Sequence, residues 1–157
     1  MLDNVGTRCD GETIQAVIDT RDYETGRYLV MVTKNGQAKK TEFQEYDSRN
    51  STLVAINLTE GDELVSVRTT NGQNDFLIFT RDGQGIRIAE SDLRPMGRAT
   101  QGVRGIKLRD GDEVVGAVSD VDGDELLLLT SGGYGKRTAM EQFRQQGRGG
   151  SGSRPIS

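Results

Sequence analysis

Apolar residues in this chain come in short β-branched-rich runs that break into polar turns, with no long 3.6-residue stripe. YLVMVT (Tyr28 to Thr33) leads into Lys34-Asn35-Gly36, and FLIFT (Phe76 to Thr80) leads into Arg81-Asp82-Gly83. A second short strand follows each turn, which is the signature of a β-hairpin. VAINL (Val54 to Leu58) and VRGIKL (Val103 to Leu108) alternate apolar and polar positions and read as third strands. After a Gly-Asp turn, LVSV and VVGAV read as fourth strands. No helix of any length is predicted; AESDL (89 to 93) and AMEQFR (139 to 144) have room for one turn each.

The pattern repeats. YLVMVTKNGQAKK, FLIFTRDGQGIRI and LLLLTSGGYGKRT align with threonines at Thr33, Thr80 and Thr130 and turn glycines at Gly36, Gly83 and Gly133. GETIQAVI, GDELVSVR and GDEVVGAV start at Gly11, Gly61 and Gly111, a step of 50. Four strands per roughly 50 residues is the grammar of a propeller blade. The expected fold is all-β, a single partial propeller-like domain over 1–157. Its segments are the end of one blade (1–25), two blades (26–73 and 74–123) and the start of another (124–157). A plain β-sandwich is the alternative. About three blade equivalents cannot close a ring of the usual size: either the chain is a fragment of a longer one, or its terminal blades expose edges that invite pairing.

Composition narrows the function. The 157 residues include no histidine and one cysteine, Cys9. That removes Ser-His and Cys-His nucleophile pairs and most zinc chemistry, so no catalytic residue, cofactor or metal is expected. No apolar run is long enough to span a membrane. With no signal-like start and no possible internal disulfide, a cytoplasmic protein without membrane contact is expected.

A net charge of −4 argues naively against nucleic acid, but the charge is segregated. Residues 81–109 carry seven bases against three acids, a net of +4, and residues 136–157 carry five against one, again +4. Residues 110–125 hold seven acids and no base. One basic and one acidic surface follow.

Aligning the repeats sorts the bases. Lys40, Arg87 and Arg137 share one position, and Lys39 and Lys136 share the position beside it. For any single lysine a solvated outer-strand charge is the simpler reading; recurrence favours a functional rim. The loop QQGRGGSG (Gln145 to Gly152) also has a counterpart 50 residues earlier, Gly97-Arg98-Ala99-Thr100-Gln101-Gly102. Its glycines permit positive φ and let backbone N–H groups approach a phosphate, while Arg148 adds a forked donor. DVDGDE fails as a calcium loop and GGYGKRT as a P-loop, because the spacings and contexts are wrong.

LRPMGRATQGVRG (Leu93 to Gly105), LLLLTSGGYGKRTAMEQF (Leu126 to Phe143) and QGRGGSG (Gln146 to Gly152) resemble the C-terminal domain of the DNA gyrase A protein, in its actinobacterial form. The resemblance implies a β-pinwheel whose blades exchange strands and bend DNA around a basic edge to support negative supercoiling. It places the family's signature box on Gln146, Gly147, Arg148, Gly149, Gly150, Ser151 and Gly152, with Ser151 where the family has lysine. DNA-contacting candidates are Lys39, Lys40, Arg87, Arg94, Arg98, Arg104, Lys136, Arg137 and Arg148. The implied partners are double-stranded DNA through its phosphates, the remainder of the gyrase A protein, and gyrase B. The implied chain is a non-catalytic, monomeric piece of an ATP-dependent type II topoisomerase. Rival readings are the equivalent topoisomerase IV domain and a protein-interaction propeller that binds an acidic partner.

Overall fold

The computed structural model describes residues 11–20, 27–50 and 52–154. Cys9 and most of the 1–25 segment lie outside them. The described elements are strands joined by turns and four single-turn 3-10 helices; the longest strand has seven residues.

The first hairpin pairs β1 (Tyr28–Thr33) with β2 (Gln37–Glu42). Next come β3 (Leu64–Thr70), which pairs back onto β1, and a second hairpin of β4 (Asp75–Thr80) and β5 (Gly85–Ala89). The two-residue strand β6 (Val103–Arg104) returns to β2, and β7 (Val114–Ser119) pairs with β4. A third hairpin joins β8 (Glu125–Leu129) and β9 (Gly135–Ala139). The first sheet therefore runs β3-β1-β2-β6, the second β5-β4-β7, and the third is β8-β9 alone.

Both repeated signatures have a mechanical explanation. The hydroxyls of Thr33, Thr80 and Thr130 accept the backbone N–H groups of Gln37, Gln84 and Tyr134 at 3.1–3.2 Å, closing each hairpin turn. Gly36, Gly83 and Gly133 sit at φ of 77–85°, which a side chain would strain. In the Gly-Asp turns, Asp62 accepts from Asn35 and Glu63, and Asp112 accepts from Asp82 and Glu113. Each such aspartate ties the entry of a fourth strand to the hairpin it joins.

Strand exchange is the organising feature. β6 belongs to the second repeat yet completes the first sheet. One repeat later Ser153 bridges Gly85 of β5, with N–H···O bonds of 2.8 Å in both directions. Repeat and sheet are thus offset: the first sheet draws its last strand from the following repeat, and the second is bridged by the following repeat at Ser153. The third strands are shorter than the sequence suggests. Gly105 and Ile106 both donate to the Gly36 carbonyl, which bends the chain off the sheet after Arg104. VAINL forms no strand: the Ala55 carbonyl accepts from the Lys39 ammonium and the Tyr46 hydroxyl, and Asn57 N–H donates to Thr100. The 3-10 turns at Glu90–Asp92 and Met140–Gln142 fall within the two short segments that had room for one.

Sheets pack face to face. Val30 and Val32 of the first meet Phe76, Ile78, Ile86 and Ile88 of the second. Leu77 and Phe79, on the other side of β4, meet Leu126, Leu128, Met140 and Phe143. Because β4 is covered on both faces, Phe76, Leu77 and Ile78 are all fully buried. Each such side chain contributes about 1.5–3 kcal/mol by leaving water, so the blades cohere through their neighbours.

Candidate nucleic-acid interface

The recurring basic pair is not a rim in the first two blades. Lys39 is 0% exposed, and its ammonium donates to the carbonyls of Ala55 and Arg98. Burial pulls its pKa down to about 8, with Glu45 opposing and Arg98 adding to the shift. At the equivalent place in the next blade stands Ile86, also 0% exposed. The sequence pattern predicts Lys39 on the surface; the structure corrects this, because the position faces the seam between repeats.

Lys40 is also buried. Its ammonium lies 3.8 Å from Glu90 Oε1, 3.3 Å from the Glu90 carbonyl and 4.7 Å from the centre of the Tyr28 ring. Glu90 accepts in turn from the Thr70 hydroxyl at 2.5 Å and the Asn74 N–H at 3.1 Å. Arg87 does the same job one repeat on. Its guanidinium pairs with Asp75 at 2.6 Å and donates to the carbonyls of Met140 and Phe143 at 3.4 Å. Glu90 and Met140 are themselves one 50-residue step apart, so position 40/87 is a latch between successive blades. The recurrence does mark a shared function, but that function is structural. Only Arg137, the third occurrence, is mainly exposed, with a weak surface pair to Glu125 at 3.5 Å.

The glycine loop has two roles that the structure separates. Gly152 sits at φ +70°, and a Cβ there would lie 2.6 Å from the Gly85 carbonyl oxygen. Gly102, its counterpart, sits at φ +91° with the Ala38 carbonyl oxygen 2.7 Å from a would-be Cβ. These glycines let the exchanging strand press against the neighbouring hairpin. Gly149 N–H donates to Gly105 at 2.7 Å and the Gly150 carbonyl accepts from Lys107 at 2.9 Å, so the loop is bonded in place. Gly147 differs: nothing lies within 4 Å of its would-be Cβ. Beside it Arg148 and Ser151 are exposed.

On this fixed loop the arginines recur at a constant step. Arg94 and Arg144, Arg98 and Arg148, and Arg104 and Arg154 are three pairs 50 residues apart. All but Arg98 are exposed, and no carboxylate among the described residues pairs with the side chain of any of the six. Arg98 is held by its backbone, donating to Glu45 at 2.9 Å, and one of its guanidinium nitrogens is buried without a partner. The stem of Arg104 lies 3.7 Å from the space above Gly149, which joins the two loops into one basic neighbourhood. Arg144 and Arg154 are not among the candidates named from the sequence, although the step of 50 points straight to them. Lys136 is exposed beside Arg137. Part of the acidic stretch is occupied elsewhere, Glu113 pairing with Lys34 and Arg81 and Asp122 with Arg68, while Glu125 at its end pairs with Arg137.

Known proteins share this architecture. A family model described as "DNA gyrase C-terminal domain, beta-propeller" matches residues 27–71, 74–119 and 124–154. The DNA gyrase A protein of Mycolicibacterium smegmatis is 46% identical over 99 residues, 61% of this chain and 12% of that protein. The one from Clostridium acetobutylicum is 50% identical over 95 residues, 60% of this chain and 11% of that protein. This chain therefore spans a small part of the length of those relatives. Among solved structures, a DNA gyrase A C-terminal domain superposes with a TM-score of 0.82 at 25% identity, covering 98% of this chain and 53% of that one. The C-terminal domain of a DNA topoisomerase IV superposes at 0.80 with 32% identity, covering 87% and 43%. The exchanged strands, the repeated arginine loops and these matches together mean that the chain belongs to the DNA gyrase A C-terminal domain family.

Proposed function

We propose that this chain is a non-catalytic module that holds and bends duplex DNA along its arginine-bearing exchange loops, in the bacterial cytoplasm, as part of a gyrase A protein working with gyrase B. The observation that carries this reading is the 50-residue recurrence of Arg94/Arg144, Arg98/Arg148 and Arg104/Arg154. Equivalent positions on successive blades follow one curved path, and these side chains are not neutralised by carboxylates among the described residues. Lys136 and Arg137 extend that path; Lys39, Lys40 and Arg87 hold the blades that carry it. Contact is with phosphates, so sequence is not read.

Two magnitudes make the proposal concrete. If about five phosphates are touched, log affinity should fall with log salt at a slope of roughly −4 to −5. Bending about 20–30 bp smoothly by about 40–90° costs on the order of 1–6 kcal/mol, which several ion contacts offset. The test is a titration with duplexes of about 20, 40 and 80 bp at two salt concentrations, wild type beside Arg148→Ala. Affinity should rise with length, fall with salt, and fall in the variant with a shallower salt slope. Weak binding independent of length would overturn the proposal in favour of a protein partner on the same surface. The topoisomerase IV reading has its own support in the 32% identity to that solved domain. Gyrase is favoured because the curated relatives at 46% and 50% identity are gyrase A proteins.

A further inference from the structure

The two exchange loops turn the same corner but differ in what sits on it. Arg98-Ala99 and Arg148-Gly149 are the turn residues. Each turn is tied to the segment one repeat before it, Asn57 N–H donating to the Thr100 carbonyl and Lys107 N–H to that of Gly150. The turn's own bond leaves the N–H of its first residue, the arginine, for another partner. In the first loop that N–H is taken, because Arg98 donates it to Glu45 Oε2 at 2.9 Å. In the second, the Arg148 N–H has no partner among the described residues. Glu45 belongs to the 3-10 turn Phe43–Tyr46, and its counterpart one repeat on is Asp92, one methylene shorter, which does not reach Arg148.

We propose that the backbone N–H of Arg98 and of Arg148 is a phosphate seat, and that Glu45 fills the first seat with its own carboxylate. Phosphate then enters the Arg148 loop directly and the Arg98 loop only by displacing Glu45. This inference rests on the DNA-holding reading above and makes the two loops unequal. A carboxylate oxygen on a backbone N–H makes the same charge-assisted bond that a phosphate oxygen would, so Glu45 is an internal stand-in for the ligand.

The arginine side chains follow their backbones. Arg148 is exposed, whereas Arg98 is half-buried with one guanidinium nitrogen enclosed and unpartnered. The charges of Arg98 and Glu45 act on the buried Lys39 in opposite directions, so all three groups share one seam. Lys39 also holds the Arg98 carbonyl through its ammonium, which keeps the turn in place whichever anion sits on it. A buried donor without an acceptor is costly, so Arg98 gains a partner for its guanidinium when it turns out to a phosphate. Glu45 can leave. It is exposed, and among the described residues the bond to Arg98 is its only hydrogen bond.

Two measurements on the 157-residue chain test this. In the first, duplex of about 40 bp is titrated over a range of salt with wild type, Glu45→Ala and Asp92→Ala. Both substitutions remove one exposed carboxylate from equivalent places, so each variant should fold, as thermal melting will check. Glu45→Ala should bind about tenfold tighter and steepen the salt slope by about 0.9, the mark of one added phosphate contact. Asp92→Ala should keep the wild-type slope. Equal changes in the two variants would mean a general charge effect and overturn the proposal. In the second, the amide resonances of Arg98 and Arg148 are followed while inorganic phosphate is added, with no DNA present. Arg148 should shift in wild type, and Arg98 only in Glu45→Ala. Equal shifts of both amides in wild type, or of neither in Glu45→Ala, overturn the seat assignment even where DNA binds as proposed. The expected amide pattern with duplex binding that is weak and independent of length would instead keep the seats and remove the DNA-bending reading.

Discussion

Replacing Gly152 by alanine tests what the glycine loop is for. If its glycines serve only to bring backbone toward phosphate, Gly152→Ala should weaken DNA binding and leave stability alone. The geometry says the reverse. The new methyl would sit 2.6 Å from the Gly85 oxygen and 2.9 Å from its carbonyl carbon, and φ +70° is unfavourable for any side chain. A non-glycine residue held in that region costs about 1–3 kcal/mol. Pushing the strand away also sacrifices the reciprocal Gly85–Ser153 hydrogen bonds, at about 0.5–1.5 kcal/mol each. The sum is about 2–6 kcal/mol against a total stability on the order of 5–15 kcal/mol. Local release of the crossing strand sets an upper limit on the observed loss. Amide hydrogen exchange at Gly85 and Ser153 is therefore the most direct reading, alongside urea denaturation. Gly147→Ala is the control, since its methyl would meet nothing within 4 Å. Unchanged protection at Gly85 in Gly152→Ala, or equal losses of stability in both variants, would refute the strand-exchange role.

Three further outcomes are expected. Ser151→Lys places a cation on an exposed loop position, so it should tighten DNA binding and steepen the salt slope by about 0.9, with unchanged thermal stability. Lys40→Met leaves the buried Glu90 carboxylate without its counter-charge and should destabilise by about 3–5 kcal/mol, while the salt slope stays as in wild type. A Glu90→Leu change added to it should recover part of the loss. For Lys39 the folded pKa of about 8 lies below the ordinary 10.5, so between these values the unfolded chain holds more protons. Wild-type stability should therefore gain, relative to Lys39→Met, on the order of 3 kcal/mol as pH rises from about 8 to 10.5. Parallel pH profiles for the two proteins would contradict that. Tyr46, whose pKa burial raises, opposes the gain only in the alkaline part of this window and is common to both.

Local grammar is legible in the sequence alone. Threonine-turn-glycine and Gly-Asp signatures act within one hairpin or one turn, so their chemistry can be read wherever they occur. The step of 50 then carries any reading from one repeat to the next, which is how Arg98 points to Arg148 and how Arg94 and Arg104 point to Arg144 and Arg154. Direction and partnership, by contrast, are settled only when the blades stack. Whether Lys40 and Arg87 meet solvent or a neighbouring blade depends on Glu90, Met140 and Phe143, which lie some 50 residues away along the chain. Lys39 and Ile86 share one buried seam although one is cationic and the other apolar, so composition at that position could not reveal its burial. Gly152 and Gly147 look alike in sequence, yet only the crossing of a strand over Gly85 makes one of them irreplaceable. Periodicity is a property of the chain; burial is a property of what the folded chain brings against it.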